Sequence, residues 1–241
     1  MRIDLTHLAL IAAVALMPMA VHAQGNGVQR TDQLPTEHLR SLRKKMNAGR
    51  SLATRDLRAL ADAADGLAAF KYGKWLEEQG KPQLLPDATH YYAIASYTDR
   101  DFAVRRLVAL LNLPNLELTG PRTKEALDAM THQAQTGNAD AAMALSQMYA
   151  SGTPFGKDAD ATRHWLEVAA NAGRGDAAVK LALAYMVPTD GAAPDHARAR
   201  EALELAVAQP DPGTKAMAKT LMARLGTMPA PLVLPVEGAS E

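Results

Sequence analysis

The chain has 241 residues, 48% hydrophobic and 22% charged, with 26 basic side chains against 26 acidic ones and no cysteine. That balance belongs to a globular protein and excludes disorder over most of the length. Zero formal net charge gives no electrostatic footprint for a general nucleic-acid or membrane-surface role, and without disulfides stability must come from buried apolar area.

At the start, Arg2 precedes an apolar stretch over 8–21, and Val21, His22 and Ala23 precede Gln24. These are the parts of a secretory signal peptide over residues 1–23, with cleavage expected after Ala23. The stretch falls short of the roughly 20 apolar residues a spanning helix needs, so no stable membrane insertion is expected after cleavage, and the mature protein is expected to be periplasmic or secreted. Residues 24–35 read as a linker. Over 36–64, Leu39, Leu42 and Met46, then Leu52, Leu57 and Leu60, predict a helix pair around Gly49 that caps one end of the fold. Arg40, Arg43, Lys44, Lys45, Arg50, Arg55 and Arg58 concentrate positive charge there and read as a solvated helix face.

The next 140 or so residues repeat themselves, which outranks other signals in deciding the fold. Ala141, Leu145, Met148 and Tyr149 return 36 residues later as Ala177, Leu181, Ala184 and Tyr185, and stand 73 residues earlier as Ala68, Tyr72, Trp75 and Leu76. A second segment follows each copy. Thr162, Trp165, Leu166 and Ala169 correspond to Ala199, Ala202, Leu203 and Ala206, and to Thr89, Tyr92, Ala93 and Ser96. A degenerate copy begins at Asp101 and continues at Thr123, with Arg106 taken to stand where Leu145 does. Apolar spacings of three and four predict helices, and the glycines and prolines between them predict turns. Four helix-turn-helix units over 66–208 result, with Asp158 and Asp195 placed to cap second helices. One helix pair leaves a wet apolar stripe, so the units must stack. A last helix over 213–225 reads as the other cap, and the proline-rich residues 227–241 as a disordered tail.

The unit carrying Ala141, Leu145, Ser146, Met148, Tyr149, Gly152, Asp158, Trp165, Ala169, Ala170 and Gly173 resembles a Sel1-like repeat, a relative of the tetratricopeptide repeat. The resemblance extends over 66–208 and is weakest in the second unit. It implies an all-α fold, a right-handed α/α superhelix whose first helices line a concave surface. It also implies an adaptor or scaffold for a protein partner, either restraining the sensor domain of a membrane kinase or supporting envelope polysaccharide assembly.

No local signature of a nucleophile, a phosphate loop or a zinc site occurs, and His38, His90, His132, His164 and His196 are scattered. The chain therefore reads as non-enzymatic, with no catalytic residue, metal or cofactor expected. The candidate partner-binding residues follow from register. Lys71, Arg105 and Lys180 are taken as equivalent positions of first helices, extended by Lys74 and Gln147, a column suited to an acidic peptide or an anionic polysaccharide. Tyr91, at the position of His164, is expected on the surface beside them as a binding aromatic. The alternative function is an envelope glycan-binding or glycan-cleaving protein.

Overall fold

The computed structural model describes residues 30–98, 100–187 and 193–227, and among them the regular structure is entirely helical. The expected signal peptide, residues 24–29 of the linker and residues 228–241 of the tail lie outside the described residues, as do Pro188 and Gly191 of the last turn. The helices are α1 (Glu37–Asn47), α2 (Thr54–Asp62), α3 (Gly66–Glu78), α4 (Leu85–Ser96), α5 (Asp101–Leu111), α6 (Gly120–Gln135), α7 (Ala139–Ser151), α8 (Ala159–Asn171), α9 (Gly175–Met186), α10 (His196–Ala208) and α11 (Pro212–Thr227).

Short polar side chains set where many of them begin. Asp158 and Asp195 accept the N–H groups of Ala161 and Arg198, each at 2.9 Å, as their places in the sequence predict. Asp65 and Asn138 do the same for α3 and α7. Each satisfies a helical N–H that has no partner in the first turn. At the far end of α7, Gly152 adopts φ +87° and returns its N–H to Met148 O at 2.8 Å, a left-handed cap that L side chains resist.

α3 packs on α4, α7 on α8 and α9 on α10, and each second helix packs in turn on the next unit, so one continuous apolar core runs from Leu34 to Leu225. Alanines supply much of it: Ala68, Ala69, Ala141, Ala142, Ala177 and Ala178 are wholly buried at the starts of three first helices. Small residues at these places let neighbouring axes come close. The tightest approach is at Gly66, where an added Cβ would sit 1.8 Å from Thr98 Oγ1 and 2.6 Å from Thr98 Cβ, in the turn after α4. Gly175, three repeats on, is pressed the same way by Thr214 and Gln209. Gly66→Ala is therefore expected to cost about 1–3 kcal/mol by overpacking. Thr98→Gly in the same chain should restore most of it, and a urea midpoint unmoved by Gly66→Ala would mean that the turn yields freely.

The second unit departs from the pattern. α5 packs on α4 but scarcely touches its own partner α6, which packs directly on α4 instead. A polar clasp holds that contact. His90 Nδ1 lies 2.8 Å from Glu125 Oε2, and Arg122 donates to the same oxygen at 3.0 Å. Deeper in, Gln133 Nε2 donates to Ser96 O at 2.6 Å, and Asn138 Nδ2 donates to Gln133 Oε1 at 3.2 Å, which ties the end of α4 to the start of α7.

Candidate interaction surface

Counted from their first residues, α3, α5, α7 and α9 carry Lys71, Arg106, Ala144 and Lys180 at the sixth position, and Lys74, Ala109, Gln147 and Leu183 at the ninth. Positions three apart lie on one face of a helix. All of these except Ala144 are exposed, so the first helices present a face that packing leaves unused. Lys74 makes an i,i+4 pair with Glu78 at 3.5 Å, whereas Lys71 has no ion-pair partner among the described residues. Lys180 leans back on α7, its Nζ 4.0 Å from Met143 Sδ.

Arg105 does not belong to this column. α5 starts 35 residues after α3, whereas pairing Lys71 with Arg105 needs 34, and its buried residues Ala103, Val104 and Leu107 follow the register of 35. Leu107 thus occupies the place of Tyr72, Leu145 and Leu181, which the sequence reading gave to Arg106. Arg106 is the true counterpart of Lys71, and it is held: Arg106 Nη2 donates to Glu77 Oε1 at 2.6 Å while the Tyr92 hydroxyl donates to Glu77 Oε2 at 2.8 Å.

Arg105 instead borders the cleft that opens where α5 leaves α6, about 540 Å³ lined also by Asp101, Val104, Gln133, Asn138 and Asp140. Arg174 pairs with Asp140 and, at 2.8 Å, with Asp176. Its guanidinium holds the Asp176 carboxyl below the usual range. The cleft is therefore of mixed charge, not a cationic trough.

Tyr91 also differs from expectation. It is 5% exposed, and its hydroxyl donates to Asp62 Oδ1 at 2.6 Å. Burial pushes its phenol well above the ordinary range. The residue fills the joint between α2, α3 and α4, because Tyr72 lies edge-on to it at 4.8 Å and leaves it no path to solvent. The ring that does reach solvent is Trp75, 37% exposed and stacked on Tyr72 with 5.6 Å between centroids and 10° between planes. The sequence reading placed Trp75 with the buried Met148. Its one signal was size, since two large rings three residues apart on one helix cannot both enter a joint that Tyr91 already occupies.

Among the described residues no group of three or more His, Asp or Glu is placed to hold a metal ion, and no helix is long and apolar enough to cross a membrane. No protein-family model and no curated protein matches the chain. Solved structures do. A Sel1 repeat protein from Oxalobacter formigenes aligns with 20% identity and a TM-score of 0.54 over 86% of this chain and 57% of that one. A protective antigen of uropathogenic Escherichia coli strains, displaying an SLR fold, aligns with 15% identity and a TM-score of 0.46 over 78% of this chain and 41% of that one. The chain thus spans little more than half the length of the first. The likeness shows the fold, an α/α solenoid of the kind that Sel1 repeats build.

Proposed function

We propose that this solenoid is an exported, non-enzymatic adaptor that holds a protein partner along the exposed face of its first helices. The observation that carries the reading is the face itself, where Lys71, Lys74, Gln147, Lys180 and Leu183 recur at two helical positions and take no part in the core. Single cations and an amide spaced along a stack suit an extended, acidic segment, which can meet them one after another without a closed pocket. Leu183, 42% exposed, gives the last unit an apolar contact beside Lys180. The leader-like residues 1–23 support a periplasmic or extracellular setting, where the partner would be a sensor domain or another envelope protein.

The test is charge reversal. Lys71→Glu with Lys180→Glu should reduce capture of a salt-sensitive partner from solubilised envelope by about tenfold or more, equivalent to roughly 1.4 kcal/mol. Both side chains are exposed, so helical circular dichroism should not change. Undiminished capture by the folded variant would remove this face from the interaction.

A further inference from the structure

We propose that the cleft between the starts of α5 and α7 binds an arginine whose carboxylate is free, either the amino acid itself or the last residue of a peptide. The inference goes beyond the adaptor reading and stands without it.

The next joint along the stack shows what would fill this cleft. Between α7 and α9 two carboxylates flank the joint and the chain supplies their cation: Arg174, immediately before α9, donates to Asp140 Oδ1 of α7 from one arm of its fork and to Asp176 of α9 from Nε and the other arm. Between α5 and α7 the residue in that place is Asn138, whose side chain is committed to the Ala141 N–H and to Gln133 Oε1. The cleft of about 540 Å³ opens there, and Asp101 and Asp140 both line it. Asp101 and Arg105 stand one helical turn apart on α5, yet they do not pair with each other, and neither has another ion-pair partner among the described residues. Val104 lines the cleft with them, as positions i, i+3 and i+4 of one helix face.

The lining matches arginine group by group. A guanidinium donates to two carboxylates from one rigid fork, so a ligand fork takes Asp101 together with Asp140 Oδ2 in the way that Arg174 takes Asp140 Oδ1 together with Asp176. The aliphatic stem covers Val104. The ligand carboxylate then accepts from Arg105, whose Cβ stands about 5–6 Å along α5 from that of Asp101, a spacing that the stem of one arginine spans. A ligand of one sign fits less well. A polyanion meets repulsion at Asp101 and Asp140, and a simple cation leaves Arg105 unmatched and is repelled by it. Two opposite charges at the ends of a short apolar stem satisfy all three side chains.

Calorimetric titration of the whole chain with L-arginine, Nα-acetyl-L-arginine, L-citrulline and L-argininamide tests this. Arginine or its acetyl derivative should bind saturably. Acetylarginine stands for the end of a peptide, so the tighter of the two names the source: a peptide terminus if the acetyl form binds at least as well, the free amino acid if it binds more weakly. Citrulline keeps the shape without the charge and argininamide lacks the carboxylate, so each should bind at least about tenfold more weakly than arginine, having lost a charge-assisted pair. Asp101→Asn and Arg105→Gln should each weaken binding by a similar factor for the same reason. Both side chains are exposed, so helical circular dichroism should not change. No saturable binding of arginine or acetylarginine would overturn the proposal. So would citrulline or argininamide binding as tightly, or binding that is indifferent to both substitutions. Lys71→Glu with Lys180→Glu should leave arginine binding within about twofold, which keeps this site separable from the adaptor face.

Discussion

Replacing Asp65 with alanine is expected to destabilise the fold by about 3–5 kcal/mol, the cost of breaking a buried ion pair from one side. Asp65 is 0% exposed and serves two helices at once. One oxygen accepts the Ala68 N–H at 2.9 Å and caps α3; the other lies 2.7 Å from Arg43 Nε of α1. Loss of the cap alone is worth about 1 kcal/mol. The larger part comes from Arg43, itself buried, which would keep its charge in the interior without this carboxylate. Because a solenoid transmits stability between neighbours only, the damage should be local. Amides of α1 and α2 should lose hydrogen-exchange protection well before those of α7 to α10. For a domain of this size each kcal/mol moves the melting midpoint by roughly 2–4 °C, so a fall of about 6–20 °C is expected. Arg43→Met added to Asp65→Ala should recover part of it, since an apolar pair removes the uncompensated charge. A midpoint within experimental error of the parent would show that the pair contributes nothing.

This ion pair also marks a limit of what the residues disclose by themselves. Arg43 lies in a run of basic residues and reads as one more solvated cation, yet its partner is 22 positions away and is brought to it only when α1 folds across the start of α3. The helices themselves were legible for a physical reason. Close packing of helix pairs demands small residues at fixed places, and Ala141, Ala177 and Ala68 recur at those places with aromatic or aliphatic residues four positions on. The second unit broke that rule by length more than by character. α5 follows α3 by 35 residues and precedes α7 by 38, with the surplus taken up in the turn over 112–119. Pairing Lys71 with Arg105 assumes a displacement of 34, one residue short of the 35 that separates the two helices, and so puts Arg105 in the column and Arg106 in the core place that Leu107 holds.

Exposure was readable for the lysines of the first helices and unreadable for two of the rings. Lys71, Lys74, Gln147 and Lys180 follow from helical periodicity, since a long polar side chain on a first helix has no favourable place in the core. Tyr91 and Trp75 do not, because periodicity gives the direction of a side chain on its own helix and says nothing of what the neighbouring helices have already placed there. Tyr72, standing where the other units carry Leu145, Leu107 and Leu181, closes the joint with Tyr91 and turns Trp75 outward. One enlarged core residue thereby creates a surface feature that the remaining units lack.

The other large effect is expected at Trp165, where truncation to alanine should cost about 3–5 kcal/mol. Its ring is 7% exposed on α8 and meets His164 edge to face at 4.8 Å. The corresponding residues elsewhere are Tyr92 and Ala202, so the third unit uses its largest side chain where the fourth uses its smallest. The small buried side chains of α7 and α8, which pack on each other, explain why the space should not close after truncation. Ala141, Ser146, Ala169 and Ala170 are already short and have no length with which to fill a void. The helices are also pinned at their junction, by the Asp158 cap and by the Asp158 N–H donating to Tyr149 O at 3.1 Å. The void should therefore persist, and cost rises with the volume that remains. Trp165→Phe should retain much of the lost stability, since a second aromatic ring fills most of the same space. A Trp165→Ala midpoint that hardly moves would mean that α7 and α8 close over the gap, and that the third unit is held by its neighbours more than by its own core.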